Sequence, residues 1–183
     1  MAEIIDLDRF RQKLAADQGF RTWLSRFQEQ FGPDTRLSDL SPKTLLFLAT
    51  PGDEQLFVYF DLIMGARGLG GSARFRLDEV DADVKLKIMD AAFALMDRVR
   101  FEVMRRLGWV EALPNEGASL IDLVRRAWES PEFARALPRL SPSHPDYGAY
   151  AKLAPPDRAV FLRRLIPRAV AEFRARLEEG DES

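Results

Sequence analysis

The chain has 183 residues, of which 46% are hydrophobic and 31% charged, and its formal net charge is −2. This composition is that of a folded protein with room for one good-sized core, and it suggests neither disorder nor a fibrous repeat. The charges are balanced along the sequence, so there is no basic stripe and we expect no nucleic-acid partner. The sequence contains no cysteine, which excludes disulfides, thiolate catalysis and metal sites built on cysteine.

The cellular compartment is predicted from three features that the sequence does not show: a signal peptide, a membrane span and cysteine. Its first residues show neither the basic region nor the apolar run of a signal peptide. The most apolar run, residues 56–64, is interrupted by Asp61 and is too short to span a bilayer. The absence of cysteine is consistent with a reducing compartment. We therefore expect a cytoplasmic protein that does not contact a membrane.

Apolar residues at helical spacing predict helices throughout. Two short helices are predicted from Leu7, Phe10 and Leu14 and from Phe20, Trp23, Leu24, Phe27 and Phe31. Four hydroxyl–proline pairs predict helix starts near residues 42, 51, 131 and 142, because the hydroxyl caps the first turn and proline fits its first position. These pairs are Ser41-Pro42, Thr50-Pro51, Ser130-Pro131 and Ser141-Pro142. Further helices are predicted over 118–129 and over 157–178, the last kinked by Pro167.

The longest predicted helix, residues 80–107, is apolar over well more than half of its circumference. It begins in an acidic cluster that suits the positive end of the helix dipole, and it ends at Gly108, a natural left-handed cap. A helix with so wide an apolar arc must be surrounded by other elements. We predict an all-α, single-domain bundle of about seven helices around this central helix, with residues 1–178 as the domain and 179–183 as a frayed acidic tail.

Two charged residues stand where apolar ones are expected. Asp61 is surrounded by apolar residues on every face of its helix, and Arg100 projects into the apolar arc of the long helix. The polar arc of that helix is predicted to carry Asp83, Asp90, Asp97, Arg98 and Arg105. Since a buried carboxylate and a buried guanidinium each need a partner, we hypothesise that Asp61 and Arg100 form a buried ion pair. The alternative is that each reaches water.

A loop over residues 65–76 combines glycines with arginines. Glycines let backbone N–H groups approach a ligand, and arginines supply paired donors for phosphate or carboxylate. The predicted contact residues for a ligand or partner are Arg67, Gly68, Gly70, Arg74 and Arg76. The spacing matches neither a P-loop nor a dinucleotide fingerprint, so a plain connection between two helices is the alternative.

The remaining candidates are weaker. His144, the one histidine, lies two residues before Asp146, but no second histidine completes a usual metal site, and the neighbouring prolines indicate a turn. Arginines 163, 164, 168, 174 and 176 cluster near the C-terminus, yet they point in several directions around a helix, which argues against a nucleic-acid stripe. We predict no catalytic residue, no metal site and no cofactor.

The sequence favours a non-enzymatic accessory or regulatory module that binds another protein or a second copy of itself. Four methionines and many phenylalanines suggest adaptable apolar surfaces. These methionines are Met64, Met89, Met96 and Met104. The alternative is a small-molecule binder or enzyme, with an anionic ligand held between helices near the 65–76 loop.

Overall fold

The computed structural model describes residues 6–70, 77–130, 132–133 and 136–181. These residues form eight α-helices, two short 3-10 helices (Leu37–Asp39 and Leu77–Glu79) and two isolated β-bridges. The helices are α1 Leu7–Gly19, α2 Arg21–Phe27, α3 Pro42–Ala49, α4 Asp53–Ala66, α5 Ala82–Arg106, α6 Leu120–Glu129, α7 Tyr147–Ala151 and α8 Pro155–Asp181. The all-α helical bundle is thus confirmed. None of the described helices combines the length and the apolar character needed to cross a membrane.

The longest predicted helix is confirmed as α5. It packs against α3, α4, α6 and α8. Its C-terminus forms a Schellman motif, in which Gly108 has a φ of 76° and Trp109 N–H donates to Met104 O at 2.9 Å. α4 ends in the same motif at Gly68, where Leu69 N–H donates to Met64 O at 2.8 Å. Both glycines occupy a conformation that a side chain would strain.

The predicted helix starts are only partly right. Ser41 caps α3 as expected and accepts the Thr44 N–H at 3.1 Å. The start predicted near residue 51 lies two residues before α4, which begins at Asp53. The predicted cap is wrong, since the Thr50 hydroxyl instead donates back to Leu46 O at 2.8 Å. The start near 142 is also wrong, because that segment is a turn and α7 begins only at Tyr147. The start near 131 falls on Pro131, which lies outside the described residues.

α8 is longer than predicted and runs through Pro167. It begins at Pro155 and continues to Asp181, three residues past the expected end at 178. Proline has no N–H, so the carbonyl of Arg163, four residues earlier, receives no hydrogen bond from position 167. The division of the chain into a single domain and a frayed tail stays a prediction.

α1 and α4 approach each other closely at two glycines. A Cβ added at Gly65 would lie 2.4 Å from Gln18 O and 2.8 Å from the Cα of Gly19, distances that no real side chain tolerates. A Cβ at Gly19 would meet Leu62 at 3.1 Å. Glycine is therefore required at residue 65 because the backbone of α1 occupies the space of a side chain.

We expect Gly65→Ala to reduce the free energy of unfolding by about 2 kcal/mol or more, since α1 must move away from α4 to admit the methyl group. Gly148→Ala is the matched control, because a Cβ there meets nothing within 4 Å. Alanine favours helix over glycine by about 0.5–1 kcal/mol, so this control should be neutral or stabilising. Urea unfolding of both variants checks this, and equal effects would contradict the close approach.

Candidate functional site

The described part of the 65–76 loop serves first to end a helix. Gly68 and Gly70 both have positive φ, at 68° and 82°, and the former belongs to the Schellman motif of α4. The Arg67 guanidinium lies 5.0 Å from the ring centre of Trp128, which also contacts Lys87. Arg67 thus has a structural contact of its own. Arg74 and Arg76 lie outside the described residues, so the loop's predicted binding role stays a prediction.

The structure places Asp61 and Arg100 in different grooves. Asp61 is half-buried and lines a polar groove beside α1 and α2, with Arg21, Thr22 and Ser25 among its neighbours. Arg100 lines a groove formed by the end of α3, by α5 and by α8, and its Nε donates to Ala49 O at 3.3 Å. The two residues thus line different grooves, and the Asp61–Arg100 ion pair stays a prediction.

The groove at Arg100, called the arginine groove here, combines arginines with an apolar floor. It encloses about 420 Å³. Its lining is Ala49, Thr50, Pro51, Asp97, Arg100, Arg163, Ile166, Pro167, Val170, Ala171 and Arg174. A pocket of this size, mostly apolar with a few convergent polar groups, has the character of small-molecule sites in proteins.

Positive charges outnumber negative charges in the lining of the arginine groove. Arg163 donates through Nε and Nη2 to Asp97 Oδ2, at 3.0 and 2.8 Å. Arg174 Nη2 donates to the hydroxyl of Thr50 at 3.4 Å, next in the chain to the carbonyl that Arg100 contacts. Among the described residues, neither Arg100 nor Arg174 forms an ion pair with a carboxylate. The lining therefore holds two positive charges in excess.

Arg100 lies close enough to the buried Tyr59 for its charge to act on the tyrosine hydroxyl. Tyr59 is fully buried and donates its hydroxyl to Leu48 O at 2.9 Å. Burial raises the pKa of Tyr59 well above its usual range, which the positive charge of Arg100 only partly opposes. Tyr59 is therefore neutral and supplies no negative charge to balance Arg100.

The predicted polar arc of α5 is wrong at Arg98, whereas Asp83 and Asp90 are exposed as predicted. Arg98 was expected at the surface, but it is 3% exposed, and it donates to Pro114 O at 3.2 Å and Phe133 O at 2.9 Å. Glu102 is 1% exposed. When the apolar arc covers more than half of a helix, the sequence does not show which part of the helix neighbouring helices cover. The spacing of apolar residues also does not show which charged residues are buried.

The side of α5 opposite Arg98 and Glu102 carries an apolar surface, called the outer stripe here. It consists of Leu86, Met89 and Phe93, which are 60%, 41% and 54% exposed. At about 100° per residue these side chains fall within an arc of about 60°, and Asp97 and Arg100 of the arginine groove lie in the same sector. Met64, Met96 and Met104 are buried, so Met89 is the methionine that the described surface presents.

The outer stripe has an acidic border. Asp83 and Asp90 are exposed, lie one heptad apart on the same flank of α5, and form no ion pair within the described part of the chain. Lys87, which lies between them in sequence, points further around the helix and contacts Trp128 instead. The stripe is therefore flanked by unneutralised negative charge.

Glu102 is the centre of a buried ionic network. Its carboxylate accepts from Arg105 at 2.7 and 2.8 Å and from Arg106 at 2.9 Å. Arg106 Nη2 also donates to the carbonyls of Leu37, Ser38 and Leu40. The hydrogen bonds that Arg105 donates to Glu102, together with the negative charge of Glu102, raise the pKa of Arg105. The network ties the segment before α3 to α5.

His144 is buried, although proline neighbours had predicted an exposed turn. Its ring contacts Trp109 at 4.9 Å between centres, Nδ1 accepts the Asp146 N–H at 3.2 Å, and Arg168 Nη2 lies 3.2 Å from Nε2. Burial lowers its pKa, Arg168 adds to this effect, and the carboxylates of Asp146 and Glu172 oppose it. Among the described residues there is no cluster of three or more metal-binding side chains.

Several of the C-terminal arginines have acidic partners. Arg163 pairs with Asp97, Arg168 with Asp146, and Arg176 with Glu172. Their partners lie on three different elements, so these arginines do not form a common basic stripe. Comparisons with protein-family models, with curated proteins and with solved structures find no match to this chain.

We expect Glu102→Gln to lower the free energy of unfolding by about 3 kcal/mol, because two arginines then lose their buried counter-charge. Glu129→Gln is the matched control, since Glu129 pairs with Arg125 at the surface at 3.3 Å and such pairs contribute less than about 1 kcal/mol. Urea unfolding at pH 7 measures both, and a small loss for Glu102→Gln would contradict the network's importance.

The burial of His144 predicts acid sensitivity. In the unfolded chain the imidazole of His144 takes up a proton near pH 6.5, whereas in the folded protein it does so only at lower pH. The free energy of unfolding should therefore be level above pH 6.5 and fall as the pH is lowered below it. Urea unfolding between pH 7.5 and 5 should show this fall in the wild type and a clearly smaller one in His144→Gln. The same slope in both proteins would contradict the assignment.

Proposed function

We propose that this protein is a non-enzymatic, cytoplasmic interaction module that binds an amphipathic helix of a partner protein on the outer stripe of α5. The observation that carries the proposal is the exposure of three large apolar side chains on the central helix. Single exposed apolar residues are normal on protein surfaces, but a contiguous apolar patch indicates an interaction site. The cytoplasmic assignment is based on the sequence alone.

The spacing of the stripe supports a helical occupant. Leu86, Met89 and Phe93 follow the i, i+3, i+7 pattern by which an amphipathic helix presents its anchors, and a partner helix packs its own ridge between them. Met89 adds an adaptable side chain at the centre of the contact. The stripe extends over about 10 Å of helix, enough for two turns of a partner.

The charges beside the stripe support a partner with a basic flank. Asp83 and Asp90 border the apolar residues, so lysine or arginine on one flank of the bound helix complements them. A second copy packed antiparallel on the same stripe would place these aspartates against their own counterparts, which is unfavourable. We therefore propose a different protein as the occupant, and self-association is an outcome that the test reports.

The test uses a photo-crosslinking amino acid in place of Met89, in lysate of the source organism, with the crosslinked peptides identified by mass spectrometry. We expect one segment with apolar residues at i, i+3 and i+7 and basic residues on one flank. The same amino acid at Val160 of α8, which is 49% exposed, is the matched control and should not capture this segment.

The captured segment, made as a synthetic peptide, should bind the protein directly in fluorescence anisotropy. We expect Phe93→Ser to weaken binding about tenfold or more, because aromatic anchors dominate the binding energy of such interfaces. Asp90→Lys should weaken it too, whereas Val160→Ser should not. Crosslinks to a second copy, a segment without the apolar pattern, or equal binding by Phe93→Ser would each overturn the proposal.

A further inference from the structure

The arginine groove lies apart from the contacts that the proposed function uses. Its positive charges face a cavity, and the hydrogen bonds that Arg100 and Arg174 do make are long, 3.3 and 3.4 Å, and go to neutral oxygens. A guanidinium carries five N–H donors, so each arginine keeps donors for another acceptor. The two acceptors now in use belong to consecutive residues, Ala49 and Thr50, which brings both guanidinium groups to the same end of the groove.

An anionic group is the complement of this end of the groove. Capping explains part of the arrangement, because the Ala49 carbonyl is at the C-terminus of α3, where a positive charge is favourable. One arginine is enough for that purpose. The second, Arg174, comes from α8 and contacts a hydroxyl. A carboxylate has two oxygens that match guanidinium donors, and it would neutralise the excess charge.

The floor of the groove requires an apolar body on the same ligand. Ile166, Val170 and Ala171 form this floor together with Pro167, and none of these side chains can form a hydrogen bond. A simple inorganic anion would leave this surface uncovered. Pro167 also costs α8 a hydrogen bond at the groove itself, at the carbonyl of Arg163.

We propose that the arginine groove binds a small carboxylate with an apolar body, such as a medium-chain fatty acid. The carboxylate contacts Arg100 and Arg174, and the apolar chain covers the floor at Ile166, Val170 and Ala171. The Asp97–Arg163 ion pair forms the wall of the groove beside them. No residue of the outer stripe lines this groove, so the two sites use different side chains.

The experiment is isothermal titration calorimetry with decanoate, below the concentration at which it forms micelles. We expect saturable one-to-one binding that weakens as salt is added, because the charges are partly exposed. 1-Decanol, which lacks the charge, and acetate and inorganic phosphate, which lack the chain, should each bind at least tenfold more weakly. Phosphate binding as tight as that of decanoate would overturn the proposed ligand class.

Variants locate the site. Arg174→Gln should weaken decanoate binding about tenfold, and Ala171→Glu, which adds a negative charge at an exposed position of the floor, should abolish it. Arg164→Gln, on the same helix but outside the groove, should leave binding unchanged. Circular dichroism confirms that each variant is folded.

A further control separates this site from the outer stripe, since a fatty chain adsorbs to apolar surfaces in general. Phe93→Ser should bind decanoate as the wild type does. Weaker binding by Phe93→Ser, equal binding by Arg174→Gln, or no heat on titration of the wild type would overturn the proposal.

Discussion

Two arginines of α5 hold α3 at both of its ends, and the rest of the candidate surface depends on this. Arg106 donates to Leu40 O at 2.9 Å just before α3 begins, and Arg100 donates to Ala49 O at 3.3 Å where α3 ends. The last carbonyls of a helix have no intrahelical partner, so they accept such donors readily. α3 therefore has a fixed position on α5, and its C-terminus forms one wall of the arginine groove.

The same arrangement explains why α5 has an unusual distribution of side chains. Arg106 is largely buried, and its charge is tolerated because Glu102 neutralises it. Arg98 is also buried, and its acceptors are two backbone carbonyls. Positions that face the bundle are thus occupied by charges, while Leu86 and Phe93 face outward. A helix that buries ions and exposes phenylalanine is not optimised for stability alone, which is why we place function on its outer side.

The sequence predicted the elements better than their surroundings. The extent of α5 and its end at Gly108 follow from local chemistry, because apolar spacing and a left-handed glycine act within a few residues. The pair Thr50-Pro51 predicted a cap for α4 that does not form, since a hydroxyl that can cap the next helix can equally donate to the previous one. The burial of Arg98 and His144 is determined by residues far away in sequence, and the exposure of the stripe by which helices α5 meets. No local pattern contains that information.

The outer stripe and the arginine groove lie in the same sector of α5, and the length of the occupant determines whether they act separately. Leu86 and Phe93 are about 10 Å apart along the helix, and Arg100 is about another 10 Å further on. A partner helix of two or three turns would cover the stripe alone. One of four or more turns would cross the Asp97–Arg163 ion pair and reach the groove, where its own carboxylate would compete with a small ligand. A long partner helix can therefore couple the outer stripe to the arginine groove without any change in the fold, because both lie on one face of α5.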